Sequence, residues 1–343
     1  MANRKKTDSG ELALIARVRA LAEAPAPSRN RGRLRLGIGD DCAILRPPQG
    51  HELLVTTDFS LEGRHFRRDS HPAHSAGHRT LARGLSDIAA MGGRPLAAFL
   101  SLALPKVVAR DARDSSWLDG FLQGLMALAR TTKVPLAGGD TSEAPGAEVL
   151  ADIVLVGSAP AGRALTRSGA RPGDEIYCTG ALGGAAAELA ALAAAPARFR
   201  RAHAAGDHPH LFPRPRLTVG AALLRRRLAS ACIDVSDGLS TDLAHLCEAS
   251  GVAAELDAAL LPAHPLTAAL TPAKQMAAIL HGGEDYELLF TARPRVKIPR
   301  SLAGVPITRI GRVLRFNKSR ARMTILAEGT RFDLEPRGWE HLR

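Results

Sequence analysis

Six short segments of this 343-residue chain set an acidic residue beside glycine or a hydroxyl residue at the edge of an apolar run. They are GIGDDCAIL, TTDFSLEGRHF, LSDIAAMGG, AGGDTSE, DVSDGLSTDL and HGGEDYELLF, spread between Gly37 and Phe290. Each reads as the end of a strand or the mouth of a helix. Together they hold Asp40, Asp41, Asp58, Asp87, Asp140, Asp234, Asp237, Glu284 and Asp285. Carboxylates in such frames repel one another unless something strongly cationic sits among them. Magnesium ions holding a nucleoside triphosphate answer that requirement.

The segments differ in what they offer. In DVSDGLSTDL a buried-type strand ends at Val235 and a helix opens soon after, so Ser236, Asp237 and Gly238 stand where orphan backbone N–H groups point outward. A phosphate could be held by those groups and the serine hydroxyl, with Asp234 and Asp237 as metal ligands. A plain helix cap at Ser236 or Asp237 reads this segment equally well. Asp87 falls within a helix between Ser86 and Ile88, where an unpaired carboxylate is costly if buried; a solvent-facing turn is the alternative. Thr56, Thr57 and Asp58 supply the oxygen-only ligands that magnesium prefers. AGGDTSE gives a strand, two glycines permitting close backbone approach, and then Asp140. In HGGEDYELLF the glycines bend the loop before a strand and leave Glu284 free to meet a cationic or hydrogen-bonding substrate, with a simple turn as the competing reading. The chain has no GxxxxGK[ST] loop, no dinucleotide fingerprint and no protein-kinase HRD or DFG set. What remains is a metal-rich phosphoryl-transfer site without a Walker lysine.

The elements that must position these residues follow from the pattern. Asp8 and Glu11 resemble a capping box for a helix to about Leu21, followed by a Pro- and Arg-rich connection from Pro25 to Arg35. Strands are expected at Glu52–Thr57, Phe99–Leu104, Val134–Ala137, Val149–Gly157, Glu175–Thr179, Cys232–Val235, Tyr286–Thr291 and Ile307–Val313. Helices are expected at Ser75–Met91, with Leu81, Leu85 and Ile88 on one face, and after Asp114, with Trp117, Phe121, Leu125 and Leu128 on one stripe. Two more are expected, one alanine-rich after Gly184 and one through Leu239, Leu243 and Leu246 to Gly251. Pro and Gly recur near 159–172, so the chain divides into residues 1–160 and 161–343, two α/β domains of comparable size.

Bulk properties narrow the class. The net charge is +12, and all but seven of the 46 basic residues are arginine, spread along the whole chain. Aromatics make up 4% and do not interleave with the arginines, which argues for a solvated basic surface rather than nucleic-acid binding. Cys42, Cys178, Cys232 and Cys247 form no CxxC pair and read as reduced residues of a cytoplasmic protein. Neither a signal peptide nor a membrane span is expected; the most apolar stretch, 181–197, is interrupted by Glu188.

Taken in order, GIGDDCA, TTDFSLEGRHF, LSDIAAMGG, GGDTS, RALTRSGARPGD, IDVSDGLSTDL and GGEDYELLF closely resemble thiamine-monophosphate kinase, from about Ser9 to Trp339. The resemblance implies an α/β (α+β) fold of two domains with aminoimidazole ribonucleotide synthetase-like architecture, a homodimer formed through the N-terminal domains, and ATP between the domains. It places Asp40, Thr56, Thr57, Asp58, Asp87, Asp140, Asp234 and Asp237 on magnesium positions. It places Gly139, Asp140, Arg167 and Ser236 on nucleotide positions, with Trp117 as an aromatic near the nucleotide. His65, Glu284 and Trp339 fall on positions contacting thiamine monophosphate. Catalysis is expected to rest on Asp87, Asp237 and Arg167. The departures are small: Arg64 precedes His65, and Ser142 stands where a second threonine is frequent.

The implied reaction is ATP plus thiamine monophosphate giving ADP and thiamine diphosphate. A phosphate oxygen is the nucleophile, so no general base is needed, consistent with the absence of a Ser-His or His-Asp arrangement. Within the superfamily, no Cys precedes Cys42 as a selenophosphate synthetase would require, and the chain ends in Arg343 rather than the cysteine of a hydrogenase-maturation protein. An aminoimidazole ribonucleotide synthetase-like enzyme and a non-catalytic nucleotide-binding regulator are the alternatives.

Overall fold

The structure, a computed structural model, describes residues 11–23, 33–110 and 115–339. Asp8, Asp114 and most of the Pro- and Arg-rich connection lie outside these residues. Helix α1 (Glu11–Glu23) leads into a four-stranded sheet of β1 (His51–Leu61), β2 (Arg94–Leu104), β3 (Leu136–Glu143) and β4 (Leu150–Pro160). Its order is β1-β4-β2-β3, antiparallel except for the parallel β2–β3 pair. Strand alternation sends Leu54, Thr56, Asp58 and Ser60 to the covered face, and Leu53, Val55, Thr57 and Phe59 to the other. Helices α2 (Ala73–Ala90) and α3 (Ser115–Thr132) cover the inner face, burying Leu81, Leu85, Ile88, Phe121 and Leu125.

The second half builds an eight-stranded sheet from β5 (Glu175–Thr179), β6 (Ala231–Val235), β7 (Val252–Asp257), β8 (Glu287–Ala292), β9 (Val305–Arg315), β10 (Met323–Ala327) and β11 (Thr330–Asp333). Its main path is β11-β10-β7-β9-β5-β8-β6, with Ser301–Leu302 alongside β9. Helices α4 (Gly184–Ala194), α5 (Leu217–Arg225), α6 (Leu239–Ser250) and α7 (Pro272–His281) pack around it. The larger apolar core joins the β1–β4 sheet and α2 to Val219 and Leu223 of α5 and Phe290 of β8. Helix α2 is therefore enclosed on nearly every side, burying Ser75, His78, Arg79, Thr80 and Ser86 along with its apolar residues. Among the described residues no helix is long and apolar enough to cross a membrane.

Two differences from the sequence reading bear on function. Strand β1 continues to Leu61, so Asp58 lies inside the strand rather than after it. Strand β3 continues to Glu143, so GGDTS is strand, not the loop that follows one. Gly139 is needed there because a Cβ would lie 1.8 Å from the Leu100 carbonyl oxygen, at a φ of 148°. Strands β7, β10 and β11 were not anticipated.

Candidate active site

Helix α2 carries Arg79, Arg83, Ser86 and Asp87 at spacings that place them on neighbouring turns of one face. That face meets the end of β6 and the Gly283–Tyr286 loop across a cavity of about 400 Å³. Asp58, Asp87, Asp234, Ser236 and Asp237 line it together with His65, Glu284 and Trp339. The fold thus brings residues from four of the six acidic segments to one space.

Hydroxyl groups hold two of the acids, and Arg83 pairs with a third, Asp58. Thr56 Oγ1 donates to Asp87 at 2.5 Å, and Ser86 Oγ donates to Asp234 at 2.6 Å. Burial, then repulsion from Asp234 and Asp58, pushes the Asp87 carboxyl up to about 7, against pulls from Thr56 and Arg167. Burial also pushes Asp234 up to about 6; the Ser86 hydroxyl and Arg167 oppose that and Asp58 adds to it. Asp58 is raised by burial against the attraction of Arg83. Arg167 is exposed, yet its charge is felt by both Asp87 and Asp234. Among the described residues no three His, Cys, Asp or Glu side chains are already converged as a metal-binding group. The donor set nevertheless suits magnesium: oxygen ligands only, and ionised forms that burial and mutual repulsion disfavour.

The phosphate cradle expected at Ser236–Gly238 is occupied from within. The backbone N–H groups of Ser236, Asp237 and Gly238 all donate to one Asp242 oxygen at 3.1 Å. Asp242, in the first turn of α6, thus takes these donors and leaves the side chains of Ser236 and Asp237 at the cavity.

Other expected residues stand elsewhere. Thr57 is on the opposite face of the sheet, donating to Asp152 at 2.7 Å, a carboxylate the sequence reading passed over. Asp140 is exposed and shares a cross-strand row with Ser101 and Asp152, and Gly139 is beside it. The row spans the sheet, so Asp140 is about 14 Å from β1 at ordinary strand spacing. Asp40 is exposed in the segment before β1, accepting from its neighbour's N–H, and does not line the cavity. Trp117 is not at the cavity either; it is stacked between Phe66 and Phe121, with ring centroids 5.9 and 5.4 Å away. Its apolar stripe on α3 explains the placement.

The substrate side is built from residues the motifs only partly announced. His65 Nδ1 accepts from the Leu61 N–H at 3.0 Å, which fixes the ring at the turn after β1. Glu284 has a φ of 67° and takes Arg79 Nη2 at 2.6 Å and Arg83 Nη1 at 3.4 Å. Burial works against the Glu284 carboxylate, yet Arg79 and His210 hold it well below its usual range. Arg83 also reaches Asp58 at 3.2 Å and the Tyr286 hydroxyl at 3.3 Å, so it joins the two sides of the cavity. Trp339 is delivered by a pinned tail: Gly338 N–H donates to Thr241 Oγ1 at 3.0 Å and Trp339 N–H to the Asp237 carbonyl at 2.9 Å. A Cβ at Gly338 would lie 1.9 Å from that carbonyl oxygen, so only glycine allows the approach.

Residues 39–159 match the family model of the AIR synthase related protein N-terminal domain, and residues 171–322 match that of the C-terminal domain. Thiamine-monophosphate kinase of Escherichia coli O157:H7 is 40% identical over 314 residues, covering 89% of this chain and 91% of that one. The chain belongs to the thiamine-monophosphate kinase family. The Bacillus subtilis (strain 168) member is 32% identical, over 90% of this chain and 93% of its own. In three dimensions the Stenotrophomonas maltophilia K279a thiamine-monophosphate kinase superposes with a TM-score of 0.77 at 35% identity, covering 94% of this chain and 98% of that one. AaThiL complexed with AMPPCP and TMP gives a TM-score of 0.71 at 28% identity with both chains fully covered. The family fold is therefore present with both of its AIR synthase-type domains.

Proposed function

We propose that this chain catalyses transfer of the γ-phosphoryl group of ATP to thiamine monophosphate. The observation that carries this reading is one cavity lined both by four acids, Asp58, Asp87, Asp234 and Asp237, and by His65, Glu284 and Trp339. A relative with the same fold is complexed with AMPPCP and TMP, which supports ATP and thiamine monophosphate as the pair. A terminal oxygen of the acceptor phosphate attacks Pγ in line, the bond from Pγ to the bridging oxygen breaks, and ADP leaves with that oxygen. The acceptor oxygen is already ionised at neutral pH. His65, tethered through Nδ1, orients the acceptor rather than removing a proton.

Asp58, Asp87, Asp234 and Asp237 would hold magnesium, with Thr56 orienting Asp87; bound there, magnesium neutralises phosphate charge. Arg167 adds positive charge, and Ser236 offers its hydroxyl to the nucleotide. Asp40, Thr57, Gly139 and Asp140, none of which lines this cavity, would complete nucleotide and metal binding from outside it. Coupled measurement of ADP formation with thiamine monophosphate, thiamine or an aminoimidazole precursor tests the assignment. Activity with thiamine monophosphate alone is expected; nucleotide binding without ADP release would leave a non-catalytic binder. A phosphoenzyme trapped with labelled ATP alone would overturn direct transfer.

The outer face of the β1–β4 sheet supports a homodimer. Leu53, Val55 and Phe59 are 49, 67 and 63% exposed on one face of β1, interrupted by Thr57, and form apolar surface that water covers poorly. Phe59→Lys is expected to shift the chain to monomer in sedimentation equilibrium with its circular dichroism unchanged. An unaltered dimer would move the interface elsewhere. Trp339, half exposed at the cavity, should contribute stacking to the acceptor. Trp339→Ala is expected to raise KM for thiamine monophosphate about tenfold, as loss of about 1.4 kcal/mol does, with KM for ATP unchanged.

A further inference from the structure

Behind Glu284 lies a buried polar chain that the reaction itself does not require. His71 and His210 are 6 and 1% exposed, and their Nε2 atoms are 3.0 Å apart. The direction of this contact follows from its far end. The Arg67 backbone N–H can only donate, and it points at His71 Nδ1 at 3.2 Å. Neutral His71 therefore carries its proton on Nε2 and donates to His210 Nε2. Neutral His210 must then carry its own proton on Nδ1, which faces Glu284 Oε2 at 3.2 Å. Burial and the charge of Arg79 keep both rings neutral, pulling His71 down to about 3 and His210 below its usual value. Arg79 Nη1 is 3.1 Å from the same Nδ1, but it donates to the His210 carbonyl instead.

This arrangement limits what Glu284 can still do. A carboxylate has about four acceptor positions. Arg79 and Arg83 occupy Oε1, and His210 takes one position on Oε2. The Glu284 side chain is 23% exposed and lines the cavity, which leaves an acceptor position on Oε2 for a molecule bound there.

We infer that His71 and His210 form a one-way hydrogen-bond relay that fixes the Glu284 carboxylate as the acceptor for an N–H donor on the base end of the phosphate acceptor. His71 and His210 are positioning residues; Glu284 makes the contact. The inference rests on the thiamine monophosphate reading, in which the aminopyrimidine amine is that donor. Removing the His71 donor lets His210 reverse its tautomer, with Nε2 protonated and Nδ1 accepting from Arg79, and Glu284 loses a partner.

The test uses the full chain with His71→Leu and His71→Gln, whose Nε2 can replace the lost donor. Steady-state ADP release and ¹⁵N spectra of labelled histidine are read together. His71→Leu is expected to raise KM for thiamine monophosphate about tenfold, with kcat and KM for ATP within about twofold. His71→Gln should recover most of that loss. The 4-oxo analogue of the substrate, which lacks the amine, should be a poor acceptor for the native chain and lose no further in His71→Leu. The His210 spectrum should report Nδ1–H in the native chain and Nε2–H in His71→Leu. An unchanged KM in His71→Leu, parallel losses for both substrates, or Nε2–H on His210 in the native chain would overturn the relay. Absence of any ADP release by the native chain with thiamine monophosphate would instead overturn the activity, and the spectra would still decide the relay.

Discussion

Asp87→Asn is expected to reduce kcat by about a thousandfold, the scale on which loss of one preorganised charge-stabilising group is felt, and at the same time to stabilise the metal-free protein. Both effects have one cause. Asp87 is carried on an enclosed helix, facing Asp234 and Asp58, with Thr56 Oγ1 its one hydrogen-bond donor among the described residues. Its ionised form is disfavoured in the folded chain, so it opposes folding whenever it is charged. That opposition is absent below the ordinary carboxyl value of 3.8, grows as pH rises, and is complete above about 7. A shift of this size sets a ceiling of about 4 kcal/mol, and sharing of charge with Asp234 brings the expected gain to about 1–3 kcal/mol.

Asparagine keeps an oxygen for the Thr56 hydroxyl, so the gain isolates the charge. Thermal unfolding without divalent ions should show Asp87→Asn above the native chain at pH 8 and level with it at pH 4. Added magnesium should raise the native midpoint at pH 8 and move the variant less, because binding to the folded state alone stabilises by mass action. Retained kcat in a folded variant would remove Asp87 from the metal set. An equal magnesium response in both proteins would place the metal on other acids.

The acids were legible because carboxylates in glycine- and hydroxyl-flanked apolar frames have few reasons to be there. Their partition was not. Thr56, Thr57 and Asp58 are consecutive, and period-two alternation sends Thr57 to the face opposite its neighbours once β1 extends through all three. Paired glycines usually end strands, so the strand is expected to stop at Ala137, whereas the close approach of β2 at Leu100 makes Gly139 a strand residue. Arg79 and Arg83 were missed because arginine in a helix normally reads as surface. Their signal was present: RTLARGLSDIAA sets them among apolar residues, so these charges had to face other charged groups. Asp152 was hidden by regular alternation in β4, which made it look like an ordinary outward residue. His71 and His210 lie 139 residues apart, and only the packing of 202–213 against α2 joins them.

Arg79→Ala is expected to destabilise the chain by about 3–5 kcal/mol, the cost of removing one member of a buried ion pair. Arg79 is 2% exposed, and its guanidinium serves the His65 carbonyl at 3.1 Å, the His210 carbonyl and Glu284 at 2.6 Å. Alanine leaves all of these without their donor and leaves a carboxylate that burial already disfavours. Arg79→Met keeps most of the stem volume, so its smaller loss would measure the charge and the rest would measure packing. Pairing Arg79→Met with Glu284→Gln removes both charges, and urea denaturation of the cycle should show a favourable coupling of about 2–3 kcal/mol. The double variant should regain stability but not affinity for thiamine monophosphate, since an amide held by different partners no longer presents the same acceptor. Arg79→Lys should fall between, keeping the charge while losing the planar fork that reaches three oxygens at once. Additive losses in the cycle would show that Arg79 supports the His65 and His210 carbonyls alone, and that Glu284 is positioned without it.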